Sequence, residues 1–255
     1  MELSNRDKAE AIQNSIETET LSQVGLINPH SYKQHNPHVA TGLQAILGLH
    51  DQMPMDKVYT NVVRKFQDGD FGFVHVDYFL FEPTVAFDIH RFENGVSVEH
   101  WDNLQVNSKK LNKSGRTMTD GKTKAQDHHK TELNKNLVRR YVKDILVDRQ
   151  IELVSDYFKG DELIQHNPDM GDGVQEFLST LEQWESEGKP QVYSKMHKVL
   201  GEGNFVLVLS EGFFKGEHVA YYDLYRVEND KIVEHWDVIE RIPEPEKRKN
   251  DNGKF

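Results

Sequence analysis

Asp88-Ile89-His90-Arg91-Phe92-Glu93-Asn94-Gly95-Val96-Ser97-Val98-Glu99-His100-Trp101-Asp102 is answered 135 residues later by Asp223-Leu224-Tyr225-Arg226-Val227-Glu228-Asn229-Asp230-Lys231-Ile232-Val233-Glu234-His235-Trp236-Asp237. A shorter phrase also returns, Gln34-His35-Asn36-Pro37 as Gln165-His166-Asn167-Pro168, at an offset of 131. Solenoid units run about 20–50 residues, so a period this long is that of a whole small domain. The recurring residues are polar and ionisable as well as apolar. Two copies of one fold, each carrying a pocket, are the first expectation.

Working outward, Asn94-Gly95 and Asn229-Asp230 are hairpin turns, and the flanking runs alternate as strands do. In the first half, strands are expected at residues 58–66, 71–81, 85–92 and 96–104, preceded by helices over residues 6–24 and 41–50. The second half repeats that order. A helix or two over residues 137–158 breaks near Asp148, a helix spans 174–187, and strands follow at 192–200, 205–214, 219–227 and 232–239. Helices followed by antiparallel strands mean α+β, with a curved sheet covered on one face. Such a sheet and its helices enclose a cone, and a cone open at one end is a pocket. The expected domains are residues 1–106 and 136–255. Residues 107–135 form a polar linker, extended or partly disordered, and the charged stretch from Pro243 is expected to be loose.

The bulk composition excludes several classes. A net charge of −11 lacks the basic face that nucleic acid requires. No apolar run reaches the length of a membrane span, and Met1–Asp7 has no signal-peptide core. The chain has no cysteine, hence no thiolate chemistry and no disulfide, which fits a cytoplasmic address. Gly-x-Gly-x-x-Gly, Walker and Gly-x-Ser-x-Gly motifs are absent.

Side chains two apart on a strand share a face. Asp88 therefore points with His90, His100 with Asp102, and His75 with Asp77. In the second half Asp223 points with Tyr225 and His235 with Asp237, while Leu209 replaces His75. Tyr59 and Tyr193 stand at matching places as further donors. A neutral His oriented by Asp can move protons near neutral pH, and a carboxyl forced into an apolar cone can stay protonated. The same residues also fit a plainer reading. His-Trp-Asp on an edge strand can cap a sheet, and His35 and His166 can fix turns before Asn-Pro. Arg91 and Arg226 fall on the opposite face and read as ion-pair residues, and His128-His129 as a solvated pair. A metal held by His-x-Asp is the sharper rival, although His-Glu-x-x-His, EF-hand and cysteine ligands are missing.

Tyr222–Ile239, the Gln-His-Asn-Pro loops and Asn250-Asp251-Asn252-Gly253-Lys254-Phe255 together resemble SnoaL-like proteins of the nuclear transport factor 2-like superfamily. The resemblance covers both halves. It implies a cone of a curved, mostly antiparallel sheet with about three helices, often paired through the sheet face. A tandem copy would then pair within the chain as a pseudo-dimer, with a homodimer also open. It further implies cofactor-free chemistry without metal, an intramolecular aldol condensation of the polyketide-cyclase kind. Asp102 and Asp237 would be the acid/base residues, with His100 and His235 beside them. Ketosteroid isomerase of the same superfamily places a carboxyl on the strand of Asp88 and Asp223. The first half departs from the pattern at His90 and Ser97.

The leading expectation is an acid–base enzyme for a small, mostly apolar carbonyl compound. Asp237, His235, Asp102, His100, Asp223 and Asp88 would be catalytic. His35, His166, Tyr59, Tyr193, His75, His90, Tyr225, Trp101 and Trp236 would bind substrate. A noncatalytic cone for an apolar ligand, and a module with filled cones, are the alternatives.

Overall fold

The computed structural model describes residues 3–18, 20 and 25–255. The chain divides into two compact units, Met1–Ser108 with Ile242–Phe255, and Lys109–Arg241.

In unit 1, helix α1 (Asn5–Glu17) is capped by Ser4, whose hydroxyl accepts from the Asp7 amide at 3.3 Å. It buries Ala9 and Ile12 against strands β2 (Tyr59–Asp68) and β3 (Phe71–Phe79). Strand β1 (Lys33–Gln34) precedes helix α2 (Leu43–His50); β4 (Pro83–Glu93) and β5 (Val96–Val106) complete the sheet, in the order β1-β5-β4-β3-β2. The first helix was expected to continue to residue 24, but α1 stops at Glu17, and residues 21–24 lie outside the described residues.

Unit 2 repeats the plan. Helix α3 (Thr131–Tyr141) runs into a π-helical turn (Val142–Val147) and a 3-10 turn (Ile151–Asp156), then β6 (Ile164–Gln165) and α4 (Val174–Ser186). Strands β7 (Gln191–Glu202), β8 (Phe205–Phe214), β9 (Glu217–Glu228) and β10 (Lys231–Arg241) follow, in the order β6-β10-β9-β8-β7. Both units are thus α+β, each with one mostly antiparallel five-stranded sheet and helices. The short parallel strands β1 and β6, expected as loops, pair Gln34 with His100 and Gln165 with His235.

Two segments expected to be loose are ordered parts of these units. Residues 109–130 belong to unit 2, where Asn112 and Met118 are buried. Ile242–Phe255 belongs to unit 1, where Ile242 and Lys254 are buried.

Asn94 and Gly95, and Asn229 and Asp230, all have positive φ, as a type I′ turn demands. One strand residue beyond each turn is extra, at Val98 and Val233, and the register shifts there. That bulge sets His100 opposite His90 and Asp102 opposite Asp88, and likewise His235 opposite Tyr225 and Asp237 opposite Asp223. These residues share the face of Val74, Val76 and Ala86, which are in the apolar cluster with α1.

Alternation alone does not say how neighbouring strands align. Val74 lies opposite Asp88, so His75 and Asp77 fall on the other face, where the His75 ring stacks on Phe87 at 4.3 Å beside Arg64. The expected set of three His and three Asp is therefore divided. Tyr59 and Tyr193 also part company. The β2–β3 pair has one register shift, between Val62 and Arg64, whereas β7–β8 has two. Each one-residue slip exchanges faces. Tyr193 turns to the helix-covered face, while Tyr59 turns the other way, its hydroxyl 3.4 Å from Asp77. The second bulge needs Gly212, since a Cβ there would lie 1.8 Å from the Val192 carbonyl oxygen.

Candidate acid–base site

Each unit holds a buried Asp-His-Asp network between its last two strands. In unit 1, His100 Nδ1 is 3.0 Å from Gln34 Oε1, and the Asn36 amide donates to the same oxygen at 2.8 Å. A backbone N–H can only meet the oxygen of the Gln amide, so that oxygen must accept and His100 Nδ1 must carry hydrogen. His100 Nε2 then faces Asp88 Oδ1 at 3.1 Å, with one hydrogen between them. A proton placed between these two atoms can pass from one to the other without moving a heavy atom. Asp102 receives the Asn36 side-chain amide on Oδ2 at 2.8 Å. Among the described residues, Asp88 Oδ2 and Asp102 Oδ1 have no hydrogen-bond donor, although both residues are buried. Such atoms are costly in a stability account and are natural points for a ligand.

Unit 2 reproduces the scaffold with different surroundings. Gln165 Oε1 accepts from the amides of His166 and Asn167 at 2.9 and 3.0 Å and from His235 Nδ1 at 3.0 Å. His235 Nε2 meets Asp223 Oδ1 at 3.1 Å, and Asn167 Nδ2 donates to Asp237 Oδ2 at 2.6 Å. The Tyr193 hydroxyl lies 3.1 and 3.2 Å from the two Asp223 oxygens, leaving Asp237 Oδ1 without a donor. Burial, assisted by the Asp223 charge and opposed by His235 and Asn167, pushes the Asp237 carboxyl up to about 6. The adjacent Tyr225 and Tyr193 hydroxyls are raised by burial and by Asp223.

The two interiors are packed by different residues. In unit 2, Tyr141 packs edge-on against Tyr157, Phe158 and Tyr225 at 5.3–5.6 Å. Val174, Phe177, Leu181 and Trp184 of α4 are all buried. In unit 1 the small His90 ring stands where Tyr225 stands in unit 2. It stacks on His100 at 4.5 Å, and burial followed by the His100 charge holds it well below the ordinary histidine range. The covering α2 is apolar, yet none of its residues is buried.

The remaining expected binding residues lie elsewhere. His35 stacks on Trp101 at 4.7 Å, and its Nε2 meets Glu99 at 2.8 Å. His166 stacks on Trp236 at 4.7 Å, and its Nε2 meets Glu234 at 3.0 Å. Trp101 and Trp236 alternate with the site residues, so both stacks sit on the opposite face of the sheet. His35, His166, Trp101, Trp236, His75 and Tyr59 are thus outside the networks, which contain Asp88, His90, His100, Asp102, Asp223, Tyr225, His235, Asp237 and Tyr193. Arg91 meets Glu99 and Arg226 meets Glu234, on that opposite face. A groove of about 470 Å³ in unit 2, lined by Asp161, Leu163, Asp172, Arg226 and Val233 among others, touches none of the network residues.

Gln34, Asn36, Gln165 and Asn167 are network residues that sequence reasoning missed. The signal was present, because Gln and Asn recur with His in both Gln-His-Asn-Pro phrases. The histidine of each phrase lies on the opposite face of the sheet, while the flanking amides hold the network.

Part of the chain is similar to several proteins of known structure. A candidate ketosteroid isomerase from Kribbella flavida is 17% identical, covering 46% of this chain and 84% of its own, with a TM-score of 0.36. IdmH, a candidate polyketide cyclase from Streptomyces antibioticus, is 13% identical over 42% of this chain and 91% of its own, with a TM-score of 0.33. An NTF-2 like protein of unknown function from Burkholderia xenovorans is 14% identical over 44% and 88%, with a TM-score of 0.36. No family model matches the chain, and no curated protein matches it. The architecture of each unit rests on its own strand order and register rather than on these likenesses. Among the described residues no helix is long and apolar enough to cross a membrane.

Proposed function

We propose that unit 1 is an acid–base site that removes a proton beside the carbonyl of a small, mostly apolar compound, as a cyclase or an isomerase does. The carrying observation is Asp102 Oδ1, a buried carboxylate oxygen without a hydrogen-bond donor, next to a His100–Asp88 pair that shares one hydrogen. Asp102 takes the proton from carbon. The His100–Asp88 pair returns a proton or donates to the enolate oxygen as charge develops there. Tyr32, Val76, Ala86 and Phe92 supply the apolar surroundings. Unit 2 keeps the scaffold, but Tyr193 engages its Asp223 and aromatic rings fill its interior, which favours a packed supporting role.

The metal reading draws on the same residues, since Asp88, His100 and Asp102 offer ligand atoms within 4.8 Å of one another. The Lys254 ammonium lies 3.8 Å from Asp102 Oδ1, and a divalent cation would be set against it.

The test is deuterium exchange from heavy water into enolisable ketones, read by proton NMR. Wild type accelerates exchange for at least one ketone of the panel, and Asp102→Asn loses it by about a hundredfold or more at a temperature where it remains folded. Ligand binding that survives Asp102→Asn, with no exchange in either protein, would establish a binding cone instead.

A further inference from the structure

Unit 1's site has one neighbour that unit 2's site lacks. Residues 249–254 run along the Gln34–Val39 loop, whose side chains hold His100 and Asp102. The Lys249 amide donates to the Pro37 carbonyl at 2.8 Å. Asn250 Nδ2 donates to the carbonyls of Asn36 and Val39, at 2.7 and 2.8 Å, and Asn252 Nδ2 to that of Gln34 at 2.8 Å. The Gly253 carbonyl accepts from His35 Nδ1 at 2.8 Å. This strap delivers Lys254, whose side chain is 2% exposed and whose Nζ is 3.8 Å from Asp102 Oδ1. A lysine this buried requires a counter-charge.

Unit 2 has a strap of the same kind with a different outcome. Asn112 Nδ2 donates to the Gln165 carbonyl at 2.7 Å, and the Thr117 carbonyl accepts from His166 Nδ1 at 2.9 Å. Its Asn-x-x-Gly-Arg, from Asn112 to Arg116, parallels Asn-x-x-Gly-Lys, from Asn250 to Lys254. Arg116, however, forms a fork with Asp172 at 2.6–2.9 Å. The repeat offset of 131 puts Thr41 at the place of Asp172, so unit 1 has no carboxylate there to hold the cation. The strap's cation meets the network carboxylate in unit 1 and a carboxylate outside the network in unit 2.

We propose that Lys254 is a positioning residue of the unit 1 site: the counter-ion of Asp102 that marks this carboxylate as the base, brought in by a strap that is itself part of the site. The inference rests on the acid–base reading of unit 1 for its catalytic consequence, and on geometry alone for the pairing.

The experiment is a double-mutant cycle of Lys254→Met and Asp102→Asn, followed by thermal melting, with Lys254→Arg alongside. A charge pair predicts that the double variant loses clearly less than the two singles summed, because each single leaves one charge buried alone. Lys254→Arg stays close to wild type. Additive losses, which a merely structural strap would give, would overturn the pairing. With any ketone that wild type exchanges, Lys254→Met is expected to lose about tenfold or more in rate at saturation, with half-saturation unchanged and Arg restoring it. An unchanged rate would overturn the catalytic consequence. If wild type exchanges no ketone while the cycle shows coupling, the reaction assignment has failed and the pairing stands. Additive losses with active exchange would show the reverse.

Discussion

Replacing Asp237 with Asn should make unit 2 more stable at neutral pH, although it alters a buried, hydrogen-bonded residue. Burial lifts this carboxyl from its ordinary 3.8 to about 6. The folded protein therefore holds a proton between those values that the unfolded chain has released. Unfolding in that window sheds a proton, so stability falls as pH rises through it. The cost is absent below the unfolded value and complete above the folded one. A gap of about two units at ~1.4 kcal/mol each gives a cost on the order of 3 kcal/mol at neutral pH. The substituted amide would carry no charge at any pH, and its oxygen could accept from Asn167 as Asp237 Oδ2 does now at 2.6 Å. The assay is urea titration of both proteins across pH, with amide hydrogen exchange of β10 reporting unit 2 specifically. The variant is expected to exceed wild type by up to about 3 kcal/mol near pH 7, and the two should converge below about pH 4. A variant that is weaker near neutral pH, or a difference that ignores pH, would mean that Asp237 is ionised and satisfied in the fold, and the reasoning would be wrong.

Two further outcomes test the architecture. Gln34→Leu removes the acceptor that fixes the His100 tautomer, so ring nitrogen-15 shifts should report Nδ1–H in wild type and a changed pattern in the variant, while an unchanged pattern would clear Gln34 of that role. Gly212→Ala sets a Cβ against the Val192 carbonyl oxygen and should cost about 1–3 kcal/mol in unit 2, whereas Gly48→Ala, with nothing within 4 Å on α2, should gain up to about 1 kcal/mol in unit 1; equal melting shifts would refute the bulge argument.

The fold was legible because its signals are local. Asn94-Gly95 and Asn229-Asp230 announce their hairpins, alternation marks the flanking strands, and the long repeat gives two units. The shared face of Asp88 and His90, and of His100 and Asp102, was legible for the same reason. What stayed hidden depends on register between strands. His75 has the same spacing from Asp77 as His100 from Asp102, yet it faces away because Val74, not His75, lies opposite Asp88. Tyr59 and Tyr193 differ by one bulge that no motif announces, apart from a glycine at 212 where unit 1 has Tyr78. Lys254 was hidden for another reason. Its partner is far away in sequence, and a polar, charged stretch gives no periodic sign of where it docks.

The places of the two straps along the chain have a consequence for how the protein is made. Unit 1 begins with α1 and has its sheet once residue 106 is synthesised, but the residues that dock on its Gln34–Val39 loop come only after the whole of unit 2. A nascent first half can collapse around its sheet while His35 still lacks the Gly253 carbonyl and Asp102 still lacks Lys254. Unit 2, in contrast, receives its strap before its first helix and can finish as a continuous stretch. Maturation of the first site is thereby tied to completion of the second unit, and a chain halted between them would carry the Asp-His-Asp residues without the cation placed beside them.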